Sequence, residues 1–524
     1  MKKILYTIIL ILSVTMLSCN LDEFPDYAIA TQPGKPMIEN IKDVEYFSNG
    51  LLTTFRSNLS GDSYYVSEVV CDAFNATISS GYWMGDIHSM GKNFTASNNY
   101  TSVIWNKEYL NIKDYNIFLE EIQKFTLVED EEDASDEDRE KHRILIEQSP
   151  GYAYLFRAKA YLNLVRYYGK AYDEKTAETD LGVPIITKWS QELKPARSSV
   201  AEVYKQIKLD LDSAAIHLKG ARGQISSVKP TADCVNFMYA RYYLDIKSYD
   251  KAAEYAEKVI NSEAGYYLAS DSTSFEMEFH LDQGGEAIMQ VTGGYEEWSG
   301  GLCRLYTNAN YKRKYSNIMG GIYFIPDYIP TKKLIESYSE DDLRFKCWYT
   351  NKYVTYNNGI ENVGKFYTFI KFLGNPRLNE YGVNGVPNAR QFAKPFKLNE
   401  IYLIAAEAHA LNGNEAKAQY YLNAIQRARH AQPTSATMDN IKKEWFRETV
   451  GDGQRMVCLK RWREGFKGRE PQEEAFEANI IYKSDGFVDR DFPSDDVHWQ
   501  WPISTYELRV NPNIEQNPGY KIFD

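Results

Sequence analysis

The stretch from Pro395 to His430, PFKLNEIYLIAAEAHALNGNEAKAQYYLNAIQRARH, constrains the fold more than any other. Leu398, Ile401, Tyr402 and Ala405 recur at i, i+3, i+4 and i+7, which is one apolar stripe of a helix. Asn412-Gly413-Asn414 interrupts the stripe with residues that tolerate left-handed backbone, and Tyr421, Ala424, Ile425 and Ala428 restart it. Two amphipathic helices joined by so short a turn must fold back on each other to bury those stripes. Small side chains at Ala406 and Ala418 allow the backbones to come close. The design recurs between Cys234 and Ser262, with Phe237, Ala240 and Leu244 on one helix and Ala252, Tyr255, Ala256 and Val259 on the next. Ala240 precedes Ala252 by the interval that separates Ala406 from Ala418. Ala158 and Tyr161 begin a third unit in SPGYAYLFRAKAYLNLVRYYG.

This spacing is that of tetratricopeptide-like repeats, in which each hairpin needs neighbours to complete its core. Unrelated hairpins of a generic α-domain are the alternative. Long insertions separate the units, so the expected fold is mainly α, a helical-hairpin scaffold with a large irregular, loop-rich half. Ile104–Phe125 reads as a long helix whose partner is expected to begin at Pro150. Between them, the charge run EDEEDASDED lacks the glycine and terminal glutamate of an EF-hand loop and is expected to be a solvated loop. Ser198–Leu218 reads as a helix capped by Ser198 or Ser199, with Glu202 completing a capping box. Helices are thus expected near 101–125, 150–170, 198–218, 232–262 and 396–430.

The chain opens with a processing segment, residues 1–18. Lys2 and Lys3 precede an apolar run from Ile4 to Leu17 that is short for a membrane span, and Ser18-Cys19 ends it. A small residue directly before cysteine resembles a bacterial lipobox, although Met16 stands where Leu is commoner. Cys19 would then carry the lipid, and several acyl chains at about 0.8 kcal/mol per buried methylene hold a soluble body firmly on a membrane. An ordinary signal peptide with an incidental cysteine is the alternative. Asp22-Glu23 resembles the acidic surface-export signal of some outer-membrane lipoproteins. Residues 19–524 contain no clean Pro/Gly/Ser linker, so one α-rich body is expected. The formal net charge of −12 argues against nucleic acid and strongly anionic partners. Cys71, Cys234, Cys303, Cys347 and Cys458 are spaced for neither zinc nor a dense disulfide framework and read mostly as buried apolar residues.

Two regions are aromatic and less helical. Residues 62–100 hold Tyr64, Tyr65, Phe74, Tyr82, Trp83 and Phe94 among Ser, Gly and Asn; residues 290–330 hold Trp298, Tyr306, Tyr311, Tyr315 and Tyr323 in similar company. Flat rings on such loops can stack on sugar rings or peptide planes while neighbouring polar groups bind hydroxyls or amides. Tyr82, Trp83, Trp298, Tyr306 and Tyr311 are the candidate ligand contacts; for any single ring, burial in the core is the competing reading. HExxH, GxSxG and metal-spaced Cys/His clusters are absent from the sequence, and Gly85–Lys92 has one residue too many for a P-loop. No cofactor, metal or catalytic residue is expected, although a glycosidase carboxylate pair would leave no linear signature.

Six stretches in order resemble the SusD/RagB family. They are the lipoprotein start, WNKEYLNIKDYN, the YAYLFRAKAYLNLVRYYG helix followed by DLGVPI, LNEIYLIAAEAHALNG, IKKEWFRETVGDGQRMVCLKRW, and the terminal WPISTYELRVNPNIEQNPGY. The chain departs at Trp445-Phe446, where the family often has Glu-Arg, and at Gly451–Arg455. Arg455 and Arg461 are expected to be ion-paired within the scaffold, and Pro502 with the QNPGY segment to fasten the chain end. The resemblance implies a lipid-anchored protein of the outer membrane facing the cell exterior, with tetratricopeptide-like helices carrying an irregular ligand-binding half. It implies a SusC-like TonB-dependent transporter as partner and a glycan, or in some branches a peptide, as ligand, bound and not cleaved. A surface glycoside hydrolase is the remaining alternative. It further implies that ligand contacts arise where regions 62–100 and 290–330 converge.

Overall fold

Ser135, Ser199, Asn98 and Asn414 each accept a hydrogen bond from a backbone N–H in the first turn of a helix, and these caps set where the scaffold begins. The computed structural model describes residues 36–79, 84–126, 135–293, 305–306, 310–312, 321–352, 354–357, 361–378, 386–387, 390–484 and 486–521. In chain order the first elements are α1 (Ile41–Ser57), α2 (Asp62–Val69), β1 (Phe74–Ala76), α3 (Gly85–Ser89) and α4 (Asn99–Ile122). The helical pairs α5 (Asp136–Tyr168) with α6 (Val200–His217) and α7 (Ala232–Asp245) with α8 (Tyr249–Ile260) follow. The less regular middle holds α9 (Ser272–Phe279), β2 (Ala287–Val291), β3 (Asn310–Lys312), β4 (Gly321–Phe324), β5 (Tyr328–Pro330), α10 (Lys332–Glu336), α11 (Leu343–Trp348), β6 (Tyr349–Thr350), β7 (Val354–Asn357), β8 (Glu361–Gly364) and β9 (Thr368–Phe369). Strand β10 (Ala393–Lys397) runs directly into the hairpin α12 (Leu398–Leu411) and α13 (Glu415–Ala428), followed by α14 (Met438–Glu448), α15 (Arg455–Trp462), α16 (Glu473–Glu477) and α17 (Thr505–Val510).

The hairpins are those expected from the apolar stripes. Ala240, Ala252, Ala406 and Ala418 are fully buried where their helices meet. Gly413 adopts φ +76 in the α12–α13 turn, and Lys247 adopts φ +63 in the α7–α8 turn. One carboxylate ties the two hairpins together: Glu257 of α8 accepts from His409 Nε2 at 2.8 Å, Lys417 Nζ at 2.7 Å and Tyr421 Oη at 3.0 Å. Ser199 caps α6 with Glu202 completing the box at 2.8 Å, as the sequence implies.

The partner of α4 differs from expectation. Helix α5 begins at Asp136 and passes through Pro150 to Tyr168. Asp136, Glu137 and Asp138 occupy its first turn, where the positive helix end favours carboxylates, so the described end of the charge run belongs to a helix. A proline inside a helix costs ~3 kcal/mol, yet residues 149–153 are buried between neighbouring helices and that burial carries the helix through. Gly151 is required there: a Cβ would lie 2.7 Å from Leu218 and 2.9 Å from His217.

The sheets are small. β1 pairs with β5, β2 with β10 and β6 with β9, each antiparallel, and β3-β4-β7-β8 form one four-stranded sheet. Buried apolar side chains form a contiguous cluster from Ile38 to Ile514. Within it lies a fully buried ionic network. Arg344 donates to Asp342 at 2.7 and 2.9 Å, to Glu444 at 2.5 Å and to Glu448 at 2.8 Å, while Arg429 bridges Glu448 at 2.6 Å and Glu286 at 2.8 Å. Arg455 and Arg461 are paired with Asp72 and Glu407, each at 2.7 Å. Asn517 of the QNPGY segment donates to the carbonyls of Tyr168 (2.9 Å) and Trp501 (2.6 Å) and accepts from Arg197 (2.7 Å), which pins the chain end to α5. Cys71, Cys234 and Cys458 are buried and free, and Cys347 is half-buried and free; Cys303 lies outside the described residues. Among the described residues no helix is long and apolar enough to cross a membrane.

Candidate functional site

The two aromatic regions meet in the backbone. Strand β1 pairs with β5 through Phe74↔Pro330, Asn75↔Ile329 and Ala76↔Tyr328. The chain leaving β1 then runs beside a segment some 400 residues downstream: Ile78 N–H donates to the Ile480 carbonyl at 2.7 Å, and Tyr482 N–H to the Ala76 carbonyl at 3.0 Å. Helix α3 closes against the loop that follows Tyr482. Gly486 (φ +82) makes the approach possible, since a Cβ there would lie 2.7 Å from the Ser89 carbonyl.

Arg469 is the clamp beneath. Its guanidinium, 1% exposed, donates to the carbonyls of Cys71 (2.8 Å), Gly486 (2.9 Å), Val70 (3.0 Å) and His88 (2.7 Å). Burial brings it down to about 10, with carbonyls and the rings of Phe466 and Phe492 around it, so it stays a cation at neutral pH. His88 is fully buried, and its Nδ1–H donates to the Val69 carbonyl at 2.6 Å. Burial and the nearby Arg469 charge hold it well below its ordinary value, hence neutral.

What this backbone work encloses is a cleft of about 770 Å³ between α3 with residues 91–93 and the 482–490 loop. Tyr482 is half-buried with its ring 4.5 Å from that of Phe487. Asp86, Lys92 and Asn93 are exposed on the facing wall, and Asn93 donates to Asp86 at 2.9 Å. Arg490 donates one N–H to the Met90 carbonyl at 2.9 Å and its other terminal nitrogen is ion-paired with Asp496 at 3.9 Å, so the guanidinium stands anchored at the edge of the cleft. The wall therefore offers an aromatic ring, a carboxylate acceptor, an amide and two cationic donors. That combination suits a polyhydroxylated ligand, whose hydroxyls both donate and accept. Among the described residues lining the cleft, Asp86 is the one carboxylate. Among the described residues, no group of three or more His, Cys, Asp or Glu is placed to hold a metal ion.

Of the candidate contacts named from sequence, Tyr82, Trp83 and Trp298 lie outside the described residues, the first two immediately before Met84 at the start of α3. Tyr311 stands on β3 opposite Ile322, with its side chain outside the description. Tyr306 is corrected: it is 1% exposed and packs on Phe74 (4.8 Å), Phe369 (5.0 Å) and Phe372 (6.3 Å). A ring enclosed on that many sides has no face left for a ligand. Tyr65, Phe74 and Phe94 are likewise core residues. With few ladders to organise it, the irregular half builds its interior from aromatic rings. Tyr482 and Arg490 escaped the sequence reading because nothing local marks them; only the pairing of residues 76–78 with 480–482 brings them to α3.

Two family models match the chain in succession. The one described as starch-binding associating with outer membrane covers residues 21–261, and the SusD family model covers residues 395–520. The chain belongs to the SusD/RagB family. Solved structures agree with the fold of that family over almost the whole molecule. A SusD superfamily protein from Bacteroides thetaiotaomicron VPI-5482 is 23% identical, with TM-score 0.71, covering 92% of this chain and 100% of its own. A putative sugar binding protein from Bacteroides vulgatus ATCC 8482 is 25% identical, with TM-score 0.70, covering 93% and 100%. A laminarin binding SusD-like protein is 20% identical, with TM-score 0.65, covering 92% and 100%. No curated protein sequence matches the chain. In SusD-family terms the helical hairpins are the scaffold, and the cleft at α3 lies in the irregular part that the scaffold carries.

Proposed function

We propose that this protein binds an oligo- or polysaccharide at the outer membrane, held there by a lipid on Cys19, and delivers it uncleaved to a SusC-like TonB-dependent transporter. The observation that carries the reading is the cleft between α3 and the 482–490 loop, where Tyr482, Asp86, Asn93, Lys92 and Arg490 offer a ring face with mixed donors and acceptors. Family membership supports it, as do relatives described as sugar binding and laminarin binding. Hydrolysis by a carboxylate pair needs two carboxyl groups about 5–10 Å apart, and the described lining of this cleft supplies only Asp86. Tyr82 and Trp83, adjoining α3 in sequence, remain candidate contacts of the same ligand, with Trp298 and Tyr311 as candidates from the second region.

The test is a binding screen of the chain from residue 20 onward against oligosaccharides and peptides side by side. Retention of one glycan class with the sugar recovered intact is the expected result. Retention of peptides alone would move the protein to a peptide-binding role. Shortened sugar products would make it a hydrolase.

A further inference from the structure

A second cleft, of about 720 Å³, opens elsewhere on the molecule between α4, the 184–195 segment and α17. Its walls are pinned by hydrogen bonds within the protein. Tyr109 Oη donates to the Pro184 carbonyl at 2.8 Å, Trp189 N–H to Glu120 at 3.1 Å, and Asn511 to the Pro195 carbonyl at 2.9 Å. Aromatic rings stand at its mouth unburied: Tyr506 is 73% exposed and Trp189 is 43% exposed. Asn106 and Gln191 line it with side chains that make no hydrogen bond among the described residues, and half-buried Glu507 adds a carboxylate. We propose that this cleft is a second oligosaccharide-binding site, taking a neutral sugar chain whose ring faces lie on Trp189 and Tyr506 and whose hydroxyls meet Asn106, Gln191 and Glu507.

Three features favour a sugar over a protein surface. The site is concave, and its volume falls in the ~300–1,000 Å³ range of small-ligand pockets, where protein interfaces are broad and flat. Indole and phenol rings sit beside amides and a carboxylate, the complement of a ring with apolar C–H faces and polar edges. The charged groups lining it are Lys113, Lys194 and Glu507, and Lys113 is offset by its ion pair with Asp114 at 3.2 Å, so no strong net charge faces the ligand. Because the walls are already held, binding would order little beyond the ligand. The inference rests on the sugar-binding reading above but uses none of the residues of the α3 cleft. It would let one molecule hold a long chain at two points, so that the second contact forms at high effective concentration.

The experiment uses a panel of heptasaccharides of glucose, mannose and galactose in α and β linkages. Each is titrated calorimetrically into the wild-type chain, Trp189→Ala, Tyr506→Ala, Trp189→Phe and Tyr482→Ala. Melting temperatures provide the folding check; Trp189 and Tyr506 are exposed enough that truncation should leave them unchanged. The expected result is about three- to tenfold weaker binding for each ring removed from the second cleft, with affinity largely restored in Trp189→Phe. Loss in Tyr482→Ala alone, with Trp189→Ala and Tyr506→Ala matching wild type, overturns the second site and leaves the first standing. Unchanged sugar binding combined with lost co-purification of a membrane partner would make this cleft a protein-docking surface and also overturns it. Binding of no panel sugar by the wild type overturns both readings together.

Discussion

Arg344→Met is the most demanding test of how the irregular half is held to the helical scaffold. Arg344 is fully buried and makes four hydrogen bonds to three carboxylates. After the substitution, Glu448 would keep Arg429 at 2.6 Å and Asn399 at 2.9 Å, and Glu444 would keep Arg447 and Gln426. Asp342, 1% exposed, would keep only the backbone N–H of residue 344 at 2.9 Å. Removing one partner of a buried ion pair costs about 3–5 kcal/mol, because the remaining charge has neither water nor counter-charge. Against a total stability of ~5–15 kcal/mol, that is a large fraction. Urea denaturation followed by circular dichroism should therefore put Arg344→Met at least 3 kcal/mol below wild type, with Asp342→Asn in the same chain recovering part of the loss. Arg143→Ala, whose partners Glu140 and Glu147 are exposed, should leave the midpoint unchanged. If Arg344→Met lay within about 1 kcal/mol of wild type, the network would not be fastening these elements.

The pH response has a definite sign at Glu68, which is fully buried and pushed up to about 7 by burial first and by Asp452 second. The folded chain holds this proton between pH 4.5 and 7 while the unfolded chain has released it, so stability should fall as pH rises through that window. Glu68→Gln should remove up to about 3 kcal/mol of that fall, at ~1.4 kcal/mol per pH unit, and parallel melting curves for the two proteins across the window would refute it. Glu444 acts in the opposite sense: Arg344 and Arg447 hold it down at about 2 despite burial, so its contribution is present above pH 4.5 and lost as pH falls toward 2. Gly451 adopts φ +80, and a Cβ there would lie 2.6 Å from Phe372 and 2.9 Å from Phe369, so Gly451→Ala should cost about 1–3 kcal/mol by urea midpoint. For the anchor, Cys19→Ala should move the protein from the membrane fraction to the soluble fraction; unchanged fractionation with continued fatty-acid labelling would retire the lipid at that position.

The scaffold was legible because helical hairpins carry local signals. The stripes of α12 and α13, the Asn-Gly-Asn turn and the Ser199–Glu202 box each lie within a few residues of the structure they specify. Helix α5 was half legible, since Pro150 and the acidic run both read as breakers while the burial of residues 149–153 is decided by neighbours far along the chain. The candidate cleft was less legible still. Tyr306 sits among Gly and Asn like a surface ring, and only its packing on Phe74, Phe369 and Phe372 reveals a core residue. Tyr482 and Arg490 reach α3 through strand-like pairing across some 400 residues, for which a linear pattern holds no trace.

One titration tests sugar binding most directly: the best oligosaccharide from the binding screen into wild-type chain and Tyr482→Ala, with the sugar recovered and sized afterwards. The expected outcome is saturable binding by wild type, about three- to tenfold weaker binding by the variant measured well below its own melting temperature, and sugar of unaltered length. Equal affinity in both proteins, or sugar returned in shorter pieces, would contradict it.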